Sequence, residues 1–159
     1  MENNRISFKL RSDIVIQLGL LKNFTAEVEA LNLKRPLIIW DKNLQDSKYF
    51  NTIKPDLVSF AANGVCMPLG VTGEPSYELL SNLIDELDMT KFDSIVSLGG
   101  GSLMDIGKGL ALLASNPCEP KTLKGFPIGL NDPLPHITIP SVLGSGAEAS
   151  FNAVFIDEA

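Results

Sequence analysis

Cysteine is scarce in this chain: Cys66 and Cys118 are the only two in 159 residues. They stand too far apart for a C-x-x-C redox motif or a zinc knuckle, and they read as two buried thiols of a protein kept in a reducing compartment. Basic runs are also lacking. Thirteen Lys and Arg stand against nineteen Asp and Glu, a net charge of -6. No cationic face is available to meet a phosphate backbone, and nucleic acid is excluded as a partner. No apolar stretch reaches the ~20 residues of a membrane helix, and the polar start, Met1-Glu2-Asn3-Asn4-Arg5, has no signal-peptide core. A cytoplasmic protein with no membrane partner is expected. Asn23-Phe24-Thr25 spells a glycosylation sequon, which without an export signal is a chance match.

What is present is ordinary globular material. Apolar residues make up 45% of the chain and charged residues 20%. That balance suits a single soluble domain that buries roughly 70% of the surface its unfolded chain exposes. Ile14 to Gln17 is short and β-branched and predicts a strand, followed by a helix whose face carries Leu20, Leu21, Phe24, Val28 and Leu31. Pro36-Leu37-Ile38-Ile39-Trp40 is a continuous apolar run ending at Asp41, the pattern of a strand covered on both faces of a parallel sheet. A polar, helix-compatible stretch runs from Lys42 to Phe50, and Gly64 to Leu69 predicts another buried strand. After the turn-rich segment 70–75, Ser76 is positioned as the N-cap of a helix striped by Leu79, Leu80, Leu83, Ile84 and Leu87.

Ser94 to Leu98 is a compact strand that runs straight into Gly99-Gly100-Gly101-Ser102. The helix beyond carries Leu103, Ile106, Leu110 and Leu113 and stops near Asn116-Pro117. A proline-rich connection (Pro117, Pro120, Pro127, Pro133, Pro135) leads to a strand over His136 to Pro140. Phe151 to Ile156 predicts a last strand. Strands alternating with helices specify an α/β, Rossmann-like domain with a mainly parallel sheet flanked by helices.

The triglycine turn carries the chemistry. Consecutive glycines between strand and helix let a bulky ligand approach the backbone, and the free N–H groups of the helix's first turn attract anions, so a pyrophosphate fits there. The segment is not a Walker A loop, and it does not satisfy G-x-G-x-x-G, because Met104 occupies the last glycine's place. The purely structural alternative is a tight connection in which Ser102 caps the helix and Asp105 completes a capping box, with Lys108 as an i,i+3 surface partner.

Gly99-Gly100-Gly101-Ser102-x-x-Asp105-x-x-Lys108 resembles the GGGSxxDxAK signature of the iron-containing alcohol dehydrogenase family, with Gly107 where the family usually has Ala. Ile139-Pro140-Ser141-Val142-Leu143-Gly144-Ser145-Gly146-Ala147-Glu148-Ala149-Ser150 is similar to the family's IPTTxGTGSEVT segment. Ile14 to Gly19 takes the place of its early strand and G-x-G turn, Ile39-Trp40-Asp41-Lys42 that of the strand ending in Asp-Lys, and Gly73-Glu74-Pro75-Ser76 that of a variable x-Pro-Thr helix start. The resemblance covers all 159 residues and implies a dehydroquinate-synthase-like fold, of which this chain is the N-terminal, NAD-binding domain, without the helical domain that binds the metal.

The resemblance also implies roles. Asp41 accepts hydrogen bonds from the adenosine ribose, favouring NAD over NADP by repelling a 2′-phosphate. An Asx turn or a helix cap is the structural alternative for the same residue. Gly99, Gly100, Gly101 and Ser102 cradle the pyrophosphate, Asp105 lies near the nicotinamide, and Ser141, Val142 and Ser145 line the adenine and ribose side. Val142 replaces a Thr that resembles a cofactor contact, and Ala147 and Ala149 replace Ser and Val. The metal, Fe2+ or Zn2+, is held in full-length members by Asp and His residues of the second domain. Here His136 is the single histidine and is expected to be a partly buried side chain, not a ligand, so no catalytic or metal residue is assigned within the chain.

The expected activity is therefore NAD-dependent, metal-dependent oxidation of a small alcohol, or reduction of an aldehyde. In the isolated chain it is reduced to weak nucleotide binding without turnover, and the family resemblance suggests a homodimer. The competing readings are a fragment related to glycerol dehydrogenase or dehydroquinate synthase, and a non-catalytic nucleotide-binding or interaction module, including the product of a decayed gene.

Overall fold

The computed structural model describes residues 12–125 and 127–157; the polar start at Met1 to Arg5 lies outside them. Four strands, β1 (Pro36–Asp41), β2 (Val65–Leu69), β3 (Ser94–Gly99) and β4 (His136–Pro140), form one sheet in the order β2-β1-β3-β4. Every pairing is parallel, with Leu37 opposite both Val65 and Ile95, and Ile95 opposite His136. The helices are α1 (Phe24–Glu29), α2 (Lys48–Phe60), α3 (Tyr77–Glu86) and α4 (Gly101–Ser115).

The period-two alternation of side chains divides the core between the two faces of this sheet. Leu37, Ile39 and Ile95 pack with Leu80, Leu83, Leu103, Ile106 and Leu110 of α3 and α4. Ile38, Trp40, Val96 and Leu98 pack with Phe24, Val28, Phe50, Ile53 and Leu57 of α1 and α2. Because both faces are covered, β1 and β3 are buried almost throughout, and each buried Leu or Ile contributes about 1.5–3 kcal/mol. β2 is an edge strand of which only Leu69 is buried. Pro68 is tolerated there because an edge strand can spare its N–H.

Ser76 caps α3: its Oγ accepts from the Leu79 N–H at 3.2 Å. Replacing Ser76 with Ala is expected to cost about 1 kcal/mol. Urea unfolding is the measurement, and a midpoint unchanged from the parent would show that the cap contributes nothing.

Several expectations are corrected. Residues 13–17 form no strand; Ile14, Val15, Ile16 and Leu18 are exposed, and Gly19 (φ 77°) turns the chain into a short 3-10 turn ahead of α1. The sheet ends at β2 and β4, and among the described residues no strand pairs with this segment. The stretch from Lys42 to Phe50 is a three-residue 3-10 turn followed by α2, which Ser47 caps and which continues through Pro55 to Phe60. Gly64 lies outside β2, and the strand is an edge rather than buried. Phe151 to Ile156 is extended but lies along α3 and α4, with a single bridge from Ile156 to Ser76. Cys66 is half-buried and Cys118 is exposed, so the pair is not buried as expected.

Candidate functional site

Strand order puts a crevice where a ligand can enter. From β1 the chain crosses to β2 on one side, and from β3 it crosses to β4 on the other. The carboxyl ends of β1 and β3 therefore flank a topological switch point, the position where open α/β sheets bind ligands. β1 ends in Asp41 and β3 in Gly99. A Cβ on Gly99 would fall 3.2 Å from the Asp41 Cβ and 2.6 Å from Leu103 Cδ2, so a larger residue here would crowd both the end of β1 and the Leu103 side chain.

The turn leads into α4 with Gly100 at the N-cap in an extended conformation (φ -82°, ψ -179°), and no side chain caps the helix. Ser102 thus lies inside the first turn and not at the cap, and Asp105 completes no capping box. The physical reason is that Asp105 faces elsewhere: its Oδ1 accepts from Lys108 Nζ at 2.9 Å and its Oδ2 from the Val154 N–H at 3.0 Å. Lys108 is the i,i+3 partner of Asp105 as expected, but not on the surface, since the pair is largely buried, with 15% and 9% of the two side chains exposed. The N–H groups of Gly101 and Ser102 have no earlier turn of helix to pair with and stand at the positive end of the helix dipole.

A cleft of about 240 Å³ lies against this turn, lined by Asp41, Val71, Gly73, Glu74, Gly100, Ser102 and Leu103. Of the residues expected at the site, Asp41, Gly100 and Ser102 share this cleft. Gly99 is the strand end beneath it. Asp41 also caps the turn that follows it, accepting from the Asn43 N–H at 2.9 Å. The capping role expected as the structural alternative is therefore present, and the carboxylate also lines the cleft.

Ser141, Val142 and Ser145 sit on the loop after β4. The Ser141 N–H donates to Gly99 O at 2.9 Å, extending the pairing of β3 and β4 by one bond. A Cβ on Gly101 would fall 2.9 Å from Ser145 Cβ, whereas one on Gly100 would meet only Val142 Cγ2, at 3.6 Å. The loop thus closes on the first turn of α4 at Gly101 and leaves room above Gly100. Asp105 does not line the cleft. Val71, Gly73, Glu74 and Leu103 were not foreseen as lining residues. The signal was available for the first three: the turn-rich segment 70–75 follows β2, whose end lies beside that of β1.

His136 is turned inward, its Nε2 2.8 Å from Ser97 Oγ between β3 and β4. Burial, reinforced by the charge of Lys108, pushes its pKa down to about 4. Asp93 at the opposite end of the sheet is a structural acid. Burial raises its pKa, but hydrogen bonds from the Lys34 and Arg35 N–H groups and from Ser94, with the Arg35 charge, outweigh burial and hold it below the ordinary value. Among the described residues no three metal-ligating side chains come together, and no helix is long and apolar enough to cross a membrane.

A family model described as iron-containing alcohol dehydrogenase matches residues 12–159. A mitochondrial hydroxyacid-oxoacid transhydrogenase of Caenorhabditis briggsae is 32% identical over 134 residues, covering 80% of this chain and 29% of that protein. An NADH-dependent butanol dehydrogenase A from Thermotoga maritima superposes with a TM-score of 0.82 at 18% identity, over 97% of this chain and 39% of that one. A sulfoacetaldehyde reductase from Bifidobacterium kashiwanohense, solved in complex with NAD+, superposes with a TM-score of 0.70 at 20% identity, over 86% and 36%. The chain therefore spans between 29% and 39% of the length of these proteins.

Proposed function

The chain belongs to the iron-containing alcohol dehydrogenase family, and from that membership we propose that it forms the NAD-binding part of an oxidoreductase acting on a small alcohol or aldehyde. One observation carries the reading: a carboxylate at the end of β1 and the uncapped N-terminus of a fifteen-residue helix face one cleft at the switch point. Asp41 accepts from the adenosine ribose hydroxyls, and its charge disfavours a 2′-phosphate. The Gly101 and Ser102 N–H groups take the pyrophosphate, with Gly99 and Gly100 letting it approach the backbone. Ser141, Val142 and Ser145 are not among the residues lining the cleft; their loop rests on Gly101 beside it, where the adenine and ribose side would meet it. When bound, NAD supplies the hydride acceptor; the residues described here bind and orient it. The Fe2+ or Zn2+ of the family finds no donor set among the described residues, and no chemical step is derived through a metal.

Trp40, adjoining Asp41 and only 5% exposed, reports on the site. Titration of the 159-residue chain with NADH is expected to give a saturable change in Trp40 fluorescence, with NADPH binding more weakly. Asp41→Asn keeps an acceptor for the Asn43 N–H but removes the charge. It should weaken NADH about tenfold, the cost of losing a charged hydrogen bond, and narrow the preference over NADPH, with little change in stability. The absence of any saturable signal at millimolar NADH would remove the cofactor reading.

A further inference from the structure

Asp105 and Lys108 belong to the sequence pattern around the triglycine turn, yet neither lines the cleft beside it. Lys108 Nζ donates to Asp105 Oδ1 at 2.9 Å, to Ser150 Oγ at 3.1 Å and to Asn152 O at 2.6 Å. An ammonium has three N–H bonds, and all three are engaged, so Lys108 has none left for a phosphate. The Asp105 carboxylate is buried and equally committed, with one oxygen on Lys108 and the other on the Val154 N–H. Two side chains of α4 thus hold three consecutive alternate residues of the segment that follows the loop: Ser150, Asn152 and Val154.

That segment is mechanically joined to the cofactor side of the molecule. The Ala149 and Ser150 N–H groups both donate to Gly146 O at 3.1 Å, making a tight turn between Ser150 and Ser145. Ser145 in turn rests on Gly101, and the buried Ala147 would lie 3.6 Å from a Cβ placed there. Helix α4 therefore grips the same stretch of chain at two places, at Gly101 and again seven residues on, about 10 Å along its axis. Gly144 (φ 105°) and Gly146 (φ 67°) make the intervening loop conformationally permissive, so beyond its start, fixed by the Ser141 N–H on Gly99 O, its place over the turn depends on those two anchors.

Building on the nucleotide-binding reading above, we propose that Asp105 and Lys108 are positioning residues: they dock residues 150–154 onto α4 and so hold the Ser141–Gly146 loop against the first turn of α4 beside the cleft, without touching the nucleotide themselves. Amide hydrogen exchange and NADH titration of the full chain, carried out together on three variants, test this. Lys108→Met and Asp105→Ala should each raise exchange at the Val154 amide by about tenfold or more and weaken NADH, while the β3 amides stay protected and show that the sheet is intact. Asp105→Asn retains one oxygen for the Val154 N–H but turns an amide NH2 toward Lys108, so it should keep part of the Val154 protection and lose NADH affinity only in step with the protection it loses.

Loss of affinity in Asp105→Asn with Val154 still protected would mean that the carboxylate charge acts on the nucleotide directly, and would overturn the proposal. A protected Val154 in Lys108→Met would overturn it too. Failure of the parent chain to bind NADH is a separate result. It removes the cofactor reading, while exchange in the nucleotide-free variants still decides whether these two residues dock the segment.

Discussion

Gly107→Ala is expected to destabilise the protein by about 1–3 kcal/mol, although Ala is the better helix former by roughly 1 kcal/mol. Gly107 lies in the middle of α4, where helix propensity alone favours the Ala usual in the family signature. Packing reverses the sign. A Cβ there would fall 2.1 Å from Ser97 Oγ, 2.5 Å from His136 Nε2 and 2.9 Å from His136 Cε1. Ser97 is fully buried, so its hydroxyl can move only by giving up the 2.8 Å hydrogen bond to the ring, leaving a polar atom unpaired in the core. The glycine and the Ser–His pair are thus one arrangement. In a Ser97→Ala, His136→Val background the space is vacated, and the same Gly107→Ala change should become stabilising by up to about 1 kcal/mol. Urea unfolding of the four combinations measures both effects. A stabilised single variant would show that the ring and hydroxyl yield freely, and would remove the packing account of this glycine.

The elements that the sequence specified well are those whose environment is simple. β1 and β3 are covered on both faces, so β1 reads as an apolar run and β3 as a compact one of small and apolar residues, and α4 shows its core stripe together with the glycines that precede it. The cleft-facing set of Asp41, Gly100 and Ser102 was legible for the same reason, since each ends or follows such a strand. What could not be read depends on partners distant in the chain. Ile14 to Gln17 has a strand's composition, but a strand exists only where another pairs with it, and β-branched residues carry no record of that. Phe151 to Ile156 likewise has a strand's composition, yet the Asn152 carbonyl and Val154 N–H are taken by Lys108 and Asp105, more than forty residues earlier. Those same bonds explain why Asp105 looked like half of a capping box: spacing of three suits a cap, an ion pair or both, and only the fold decides. In α2 the stripe of Phe50, Ile53 and Leu57 was present, with Pro55 between its members obscuring it.

The pH dependence of stability should be dominated, from pH 6.5 down to about 5, by one residue. In the folded chain burial, with the Lys108 charge beside it, lowers the His136 pKa to about 4, whereas in the unfolded chain the imidazole titrates near its ordinary 6.5. Between those values unfolding takes up a proton, so stability is fully present above pH 6.5 and is lost as the pH falls toward 4. The slope approaches 1.4 kcal/mol per pH unit for one proton, and the total approaches about 3 kcal/mol. The sign follows from the surroundings. Lys108 brings a positive charge, its carboxylate partner Asp105 is already committed, and Ser97 offers a hydroxyl that a neutral ring can use as acceptor or donor. Asp93, held below the ordinary carboxylate range by its backbone hydrogen bonds, adds its own loss only at lower pH, below the window in which His136 acts alone. His136→Gln removes the titrating group and should leave urea stability flat from pH 7 to 5 while the parent declines. Parallel profiles for the two proteins would mean that the folded chain tolerates a charged ring, and that the Ser97 hydrogen bond does not hold it neutral.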